Sequence, residues 1–206
     1  MALLRSFFYI FIFYREKSYK HLIEEVFNGG AVCIKLSQWA SQHKGFLPLE
    51  CARILESTCM DVPSHDHTIT LELLEKTGIA KHCTDVEQKL LGSGSIAQVV
   101  RVNYKNKQCV IKAVHPGIPE QITVDVFLLE NAINILRHFI GSYLSVFDSR
   151  KVFRNISVQA NLKLEAKNTW ILRQCFRNND LVHFAKIYYR STNILIENYL
   201  PGDHLP

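Results

Sequence analysis

A glycine-rich string and a lysine downstream of it are the residues whose types and spacing best suggest chemistry. Gly92-Ser93-Gly94-Ser95-Ile96-Ala97-Gln98-Val99 leads into a first apolar run, Ile96 to Val102, and Lys112 lies within the second run, Cys109 to Val114. Glycines have no Cβ, so the backbone amides of such a loop can approach phosphate oxygens closely. A lysine on the neighbouring strand supplies the positive charge. Together they predict a site for the phosphates of a nucleotide.

Each of these two features has an ordinary structural explanation when taken alone. A Gly-x-Gly turn is often plain hairpin geometry, and a strand lysine often points into solvent. The loop is not a Walker A motif, because no Gly-Lys-Ser/Thr follows the glycines, and no acidic residue of a Rossmann βαβ unit is present. The loop, the lysine and the strand–turn–strand context instead match a protein kinase, in which a helix glutamate orients the lysine.

The elements that must position these residues begin with a mostly helical front section. Apolar residues recur at helical spacing, and Asn28-Gly29-Gly30 and Gly78 are typical helix ends. Pro48 suits a first helical turn, and Thr70 is predicted to cap the fourth helix. The predicted helices are Lys20–Phe27, 31–42, one carrying Leu49 to Cys59, and a short one between Thr70 and Gly78.

The pattern changes at Val86 to β-branched runs. A hairpin is predicted from Ile96–Val102 and Cys109–Val114, joined by Asn103–Lys107. The remaining predicted elements are a long amphipathic helix from Pro119 to Gly141, a helix over Val158–Phe176, and strands over His183–Tyr188 and Asn193–Asn198. This order indicates an α+β fold with an antiparallel sheet.

Composition narrows the functional classes. The chain has 206 residues and a net charge of +5, with no run of like charges. A basic face for anionic lipid is allowed, whereas nucleic-acid binding has no support beyond net charge. The six cysteines form no C-x-x-C pair, which disfavours a metal site and disulfides. Cys33 and Cys109 are predicted to be small core residues.

The amino-terminal segment from Ala2 to Tyr14 is densely apolar. It is shorter than the roughly 20 apolar residues that a membrane-spanning helix needs, and it lacks the cleavage site of a secretory signal. Two hypotheses stay open. The segment packs against protein, or it anchors the chain at a membrane surface with Arg15, Lys17 and Lys20 at the headgroups. A shortened membrane helix would give the same pattern.

Four stretches resemble the UbiB/AarF family of atypical kinases, from about residue 28 to the end of the chain. Within that family the loop resembles the aarF domain-containing kinase 2 type, which also has a G-S-G-like element. The matching stretches are Ile34–Ser41, similar to the family's K-x-G-Q helix; Ser95–Val99 with Val110–Ile118; Gln159–Asn168, similar to an E-x-D…E-A-x-N helix; and Ile194–Gly202, similar to the strand and hinge that end a kinase small lobe.

The resemblance implies a kinase-like small lobe over 85–206, preceded by a family-specific helical extension over 20–84 and the apolar segment over 1–19. Lys112 would hold ATP phosphates and pair with Glu165, while Lys35 and Gln38 would share a helix face that covers the nucleotide. The implied nucleotide-binding set is Gly92, Ser93, Gly94, Ser95, Ala97, Lys112 and Glu165.

Three departures from the family pattern concern the extension and the loop. Gln159 and Asn161 replace the E-x-D carboxylates that engage the K-x-G-Q lysine, so Lys35 would lose a charge-assisted bond about twice as strong as a neutral one. Ser37 replaces a glycine in the K-x-G-Q motif. Gly92 and Gly94 stand where alanines are usual, which leaves nucleotide selectivity open.

The family's catalytic-loop base and metal-binding aspartate lie downstream of the hinge, and this sequence contains no H-x-D or D-F-G-like string. We therefore expect no complete catalytic set and no metal ligands in these 206 residues, with magnesium-dependent ATP chemistry only if a large lobe is supplied. The resemblance implies ATP binding, a supporting role in ubiquinone biosynthesis and a mitochondrial, membrane-associated location. The alternative is a pseudokinase scaffold that binds lipid or quinone-biosynthesis proteins.

Overall fold

The structure is a computed structural model that describes residues 9, 19–42, 49–57, 62–140 and 149–202. Most of the apolar amino-terminal segment therefore lies outside the described residues. Within the described ranges, no helix is both long and apolar enough to cross a membrane. The chain forms two compact units, one of residues 1–63, 94–96 and 117–158, the other of residues 64–93, 97–116 and 159–206.

The first unit is helical. Its core contains Leu22, Val26, Ile34, Cys51, Leu55 and Val62. A Cβ at Gly29 would clash with Cys33, and Gly30 has a φ of +77°, so this glycine pair is needed where the first two helices meet. The helices of this unit are α1 (Tyr19–Asn28), α2 (Gly30–Gln42), α3 (Leu49–Ser57), α5 (Ile118–Ile140) and α6 (Ser149–Gln159).

The second unit is built on a six-stranded antiparallel sheet, packed with α4 (His67–Lys76) and α7 (Leu162–Cys175). The strand order is β1-β3-β4-β6-β5, and β2 also pairs with β3. The strands are β1 (Cys83–Thr84), β2 (Leu90–Ser93), β3 (Ala97–Tyr104), β4 (Lys107–Val114), β5 (Ile187–Arg190) and β6 (Ile194–Asn198). The predicted α+β class with an antiparallel sheet is confirmed.

The two faces of the central strands have different roles. Val100 on β3, Ile111 on β4 and Ile196 on β6 are fully buried in one apolar core, together with Leu74 of α4. Since side chains alternate along a strand, Lys112 points to the opposite face. The core thus fixes which side of the sheet carries the lysine. Cys109 lies in the same core, and Cys33 is buried in the helical unit, as predicted for both.

The predicted hairpin is present with a shorter turn. Only Lys105 and Asn106 lie outside the strands, and their φ angles of 50° and 61° are those of a type I′ turn. This turn matches the twist of the flanking strands, so the ladder extends further along both strands than the apolar runs predicted.

The prediction that Thr70 caps the fourth helix is wrong. Asp66 is the cap, because its side chain accepts a hydrogen bond from the backbone N–H of Thr68. Thr70 is fully buried within the helix. Its hydroxyl bonds to the Nε2 atom of His65 at 2.9 Å and accepts from the side-chain amide of Gln98 at 3.2 Å. Its polar group is therefore used to join helix α4 to the sheet.

The predicted helix over Val158–Phe176 is two helices, α6 and α7. Of the strand predicted over His183–Tyr188, only Ile187 and Tyr188 lie in β5. Asn161 caps α7, since its side-chain oxygen accepts from the N–H of Lys163 at 3.0 Å. An N-cap residue has non-helical backbone angles, and Asn161 has φ −109° and ψ 97°. A continuous helix cannot pass through that conformation.

Candidate functional site

The candidate site lies on the face of the sheet opposite the apolar core, around Lys112. Ile111 and Ala113 are fully buried in that core, so the alternation of β4 turns Lys112 outward. The Lys112 side chain is 30% exposed. A strand held on both sides, by β3 and by β6, gives the lysine a rigid base.

Glu165 meets this lysine from helix α7. The cap at Asn161 starts the helix at Leu162, and this places Glu165 in the first turn. The Lys112 ammonium donates to both carboxylate oxygens of Glu165, at 2.7 and 2.8 Å. An ammonium has three donors, so this two-oxygen contact leaves one proton for a further acceptor. The two residues that the sequence paired by resemblance are in contact.

Glu197 is a site residue that the sequence analysis did not single out. In the β4–β6 ladder, Val110 lies opposite Glu197 and Lys112 opposite Leu195. Directly paired residues share a face, so Glu197 lies on the same face as Lys112. Burial raises the pKa of Glu197, the charge of Glu165 raises it further, and the charge of Lys112 acts in the opposite direction. A second carboxyl group therefore lies near the ion pair.

The glycine-rich loop joins β2 to β3, with Gly92 paired to Val99 and a register shift between Leu90 and Gly92. Gly92 does not have a positive φ, and a Cβ added there would meet no atom within 4 Å. Neither backbone strain nor packing requires a glycine at this position. The space beside Gly92 is open to a ligand.

Two serines of the loop have unusual hydroxyl groups. The Oγ atoms of Ser93 and Ser95 are buried, and neither has a hydrogen-bond partner among the described residues. A buried hydroxyl without a partner costs free energy. Such atoms are candidates for contact with a ligand. Ala97 begins β3 and is buried, whereas Gly94 and Ser95 are grouped with the helical unit.

The predicted gating residues belong to different units of the chain, Lys35 and Gln38 to the helical unit and Gln159 and Asn161 to the sheet unit. Lys35 and Gln38 lie on α2 and are half-buried. Gln159 is exposed at the end of α6, and Asn161 caps α7. Contact between the K-x-G-Q and E-x-D positions stays a prediction.

Comparison with known proteins shows which family has this arrangement of lysine, glutamate and glycine-rich loop. Residues 54–206 match the ABC1 atypical kinase-like domain. The chain belongs to the ABC1 atypical kinase-like family. The UbiB/AarF resemblance is therefore confirmed, and Lys112, Glu165 and the glycine-rich loop all lie within the matched residues.

Relatives of this ABC1 chain come from several kingdoms. It is 30% identical to the probable serine/threonine-protein kinase abkC of Dictyostelium discoideum, over 91% of this chain and 29% of that protein. It is 31% identical to a probable protein kinase UbiB of Shewanella sp., over 77% of this chain and 30% of the relative. For the mitochondrial ABC1 family protein C21C3.03 of Schizosaccharomyces pombe the identity is 26%, over 89% and 32%. The chain thus spans about a third of the length of these relatives.

A solved structure has a similar fold. The Mycobacterium tuberculosis protein Rv3197, determined in complex with erythromycin, superposes with a TM-score of 0.60 at 14% identity. The superposition covers 68% of this ABC1 chain and 37% of that protein. It supports the kinase-like fold alone.

No metal centre is evident in the parts of the ABC1 chain that the structure describes. No group of three or more His, Cys, Asp or Glu side chains there could hold a metal ion. The groups that the structure describes at the site are one ammonium group, two carboxyl groups and a loop of glycines and serines.

Proposed function

We propose that the Lys112 face of the sheet binds the phosphates of ATP. The observation that carries this proposal is the contact of Lys112 with both oxygens of Glu165, at 2.7 and 2.8 Å. Glu165 fixes the direction of the ammonium group and leaves it one donor. A phosphate oxygen is a strong acceptor for that proton.

The glycine-rich loop fits the same ligand. The buried hydroxyl of Ser93 has no partner among the described residues, and the open space at Gly92 lets a phosphate approach the backbone. Gly92, Ser93, Ala97, Lys112 and Glu165 would hold ATP, with Gly94 and Ser95 completing the loop.

Bound ATP supplies the transferable phosphoryl group, and Mg²⁺ neutralises its charge. The contribution of this chain is positioning. Lys112 provides one fixed positive charge, and Glu165 keeps it in place. Within the described residues, no cluster of side chains is available to bind the metal.

Isothermal titration of Mg-ATP into the chain tests the proposal. We expect saturable binding by the wild type, and at least a tenfold loss, about 1.4 kcal/mol, for Lys112→Met. Lys107→Met is the matched control, because Lys107 is exposed at the other end of the same strand. Parallel titrations with GTP and pyrophosphate measure selectivity for the base.

The family membership also suggests a biological role. We propose that the full protein supports ubiquinone biosynthesis in mitochondria at a membrane surface, in line with its UbiB relatives and the mitochondrial S. pombe relative. A knockout measured for ubiquinone content tests this role. Unchanged ubiquinone would contradict it. Absence of saturable Mg-ATP binding, together with binding to liposomes or quinone-biosynthesis proteins, would favour the scaffold alternative.

A further inference from the structure

A groove of about 700 Å³ lies between helix α7 and strand β5. Lys167 and Trp170 line it from the helix, and Ile187–Arg190 lines it from the strand. Neither Lys112 nor Glu165 lines this groove. Its volume is within the usual range for ligand sites.

The groove exposes aromatic surface. Trp170 is 57% exposed, although burying such a side chain is strongly favourable. Tyr188 and Tyr189 lie on the facing strand and are only partly buried. Tryptophan and tyrosine are the residues most enriched at the centres of protein interfaces.

The groove is also positively charged. Lys167 and Arg190 lie on its two opposite walls, and both are exposed. Among the described residues neither cation forms a salt bridge, whereas Lys76 and Lys112 do. Two unpaired cations beside apolar rings favour a ligand that combines negative charge with an aromatic group.

The strand side of the groove indicates the shape of that ligand. In the strand order β5 is the outermost strand after β6. The free edge of an outer strand presents unpaired N–H and C=O groups, and these can pair with an extended peptide. An extended peptide matches such an edge best, because its own backbone donors and acceptors repeat along its length.

We propose that this groove docks an extended acidic peptide segment of a partner protein, with an aromatic side chain inserted against Trp170. Lys167 and Arg190 bind the acidic side chains, and the backbone of the peptide pairs with β5. Because Glu165, Ala166 and Lys167 are consecutive on α7, the partner docks on the helix that carries the Lys112 partner. The docking itself does not depend on nucleotide binding.

A fluorescein-labelled peptide of ten residues, with two phenylalanines among aspartates and glutamates, tests this proposal by fluorescence anisotropy. We expect saturable binding to the 206-residue chain. The double variant Lys167→Glu/Arg190→Glu and the variant Trp170→Ala should each weaken it by about tenfold. Arg173→Glu is the control, because Arg173 is an exposed cation on the same helix that lines a different groove. It should change the affinity by less than about twofold.

Control peptides separate the two parts of the recognition. Replacing the carboxylates by amides, or the phenylalanines by alanines, should each reduce binding. Equal binding of the amide peptide, equal binding by the double charge variant, or no saturable binding by the wild type would overturn the proposal. Thermal unfolding of each variant verifies that it is folded.

Tryptophan fluorescence locates the bound peptide. The chain has two tryptophans, Trp39 and Trp170. In the Trp39→Phe variant the emission reports on Trp170 alone. A peptide that docks in the groove should shift this emission to shorter wavelength, and saturable binding without any change in it would contradict the assigned position.

Discussion

Lys112 has two carboxyl groups near it. Glu165 accepts two hydrogen bonds from its ammonium group, and Glu197 shares the same face of the sheet. Two ionised carboxylates beside one ammonium leave a net negative charge, which opposes a bound phosphate. Partial burial disfavours the ionised form of Glu197 and raises its pKa. The protonation state of Glu197 therefore affects the net charge around Lys112, where the phosphate is proposed to bind.

Replacing Glu197 by Gln should raise the affinity for Mg-ATP several-fold at pH 7, since it removes a negative charge near the phosphates. It should also stabilise the fold at pH 7. The pKa of Glu197 in the folded state is raised above its ordinary 4.5. The folded state therefore loses stability as pH rises from about 4.5 through this raised pKa, because the partly buried carboxyl group must ionise.

Titration calorimetry and urea unfolding at pH 4 and pH 7 measure both effects of Glu197→Gln. The stability difference between variant and wild type should shrink at pH 4, where the wild-type carboxyl group is mostly protonated in both states. A stability difference that is equal at the two pH values would contradict this assignment. Glu87→Gln, at an exposed glutamate, is the control.

A second titrating group is the histidine pair of the sheet unit. The Nδ1 atoms of His65 and His115 lie 2.7 Å apart, so they can share only one proton. Burial and the charge of His115 lower the pKa of His65 to about 4, and Asp66 acts in the opposite direction. His65 is therefore neutral at pH 7. Its two ring nitrogens form hydrogen bonds with His115 and Thr70.

The neutral histidine predicts acid sensitivity. The pKa of His65 is below its ordinary 6.5, so stability should be complete above pH 6.5 and decline as pH falls toward 4. The loss is at most about 3 kcal/mol, less after solvent screening of this partly exposed ring. His65→Gln should reduce the change in urea midpoint between pH 7 and pH 4.5. An unchanged difference between these midpoints would contradict the prediction.

At the scale of elements, the start of α7 determines where Glu165 lies. The sequence shows apolar periodicity across Val158–Phe176 but gives little sign of the break, because Ala160 is a good helix former and Asn161 is tolerated inside helices. The cap hydrogen bond from Lys163 N–H to Asn161 resolves the ambiguity in favour of a new helix. A residue that resemblance assigned to gating thus has a structural role.

Asn161→Ala should destabilise the sheet unit by about 1 kcal/mol, which for a chain of this size lowers the melting temperature by about 2–4 °C. Asn161→Asp keeps a capping oxygen and should retain stability. Thermal unfolding of the three proteins measures this. If Asp and Ala at this position are equally destabilising, Asn161 does not act as a cap.

The sequence predicted those elements that local chemistry determines. Gly29-Gly30 ended the first helix, and the two β-branched runs gave the hairpin that carries Lys112. The sequence analysis missed features that depend on the register between distant strands and on which residue caps a helix. Glu197 reaches the site because it pairs with Val110 from a strand more than eighty residues away, and no local pattern encodes that pairing. Asp66 caps α4, whereas the hydroxyl of the buried Thr70 bonds to His65 and Gln98, and Gln98 lies on a strand that local sequence does not place beside the helix.

At the scale of the whole molecule, the stability of the sheet unit depends on one apolar core, and the site depends on its integrity. Ile111 adjoins Lys112 and is fully buried between β3, β6 and α4. Ile111→Ala should cost about 2–5 kcal/mol, and Ile111→Val about 0.5–1.5 kcal/mol. Urea unfolding measures both. If both variants lost the same small amount of unfolding free energy, the assignment of Ile111 to the centre of the core would be contradicted.

The two compact units are interleaved along the chain. Residues 94–96 and 117–158 group with the helical front section, so the structural division does not follow a single point in the sequence. The predicted boundaries at 19 and 84 were based on local composition and on resemblance, and they stay predictions. The kinase-like family and the α+β fold, by contrast, depend on motif order, and motif order is visible in the sequence.

The central claim is that Lys112, held by Glu165, binds the phosphates of ATP, and nucleotide-induced thermal stabilisation tests it most directly. At an ATP concentration of 100 times Kd, binding stabilises a protein by about 2.7 kcal/mol, which corresponds to about 5–10 °C here. We predict this shift for the wild type and for Lys107→Met, and its loss in Lys112→Met. An equal shift in Lys112→Met, or none in the wild type, would contradict the account.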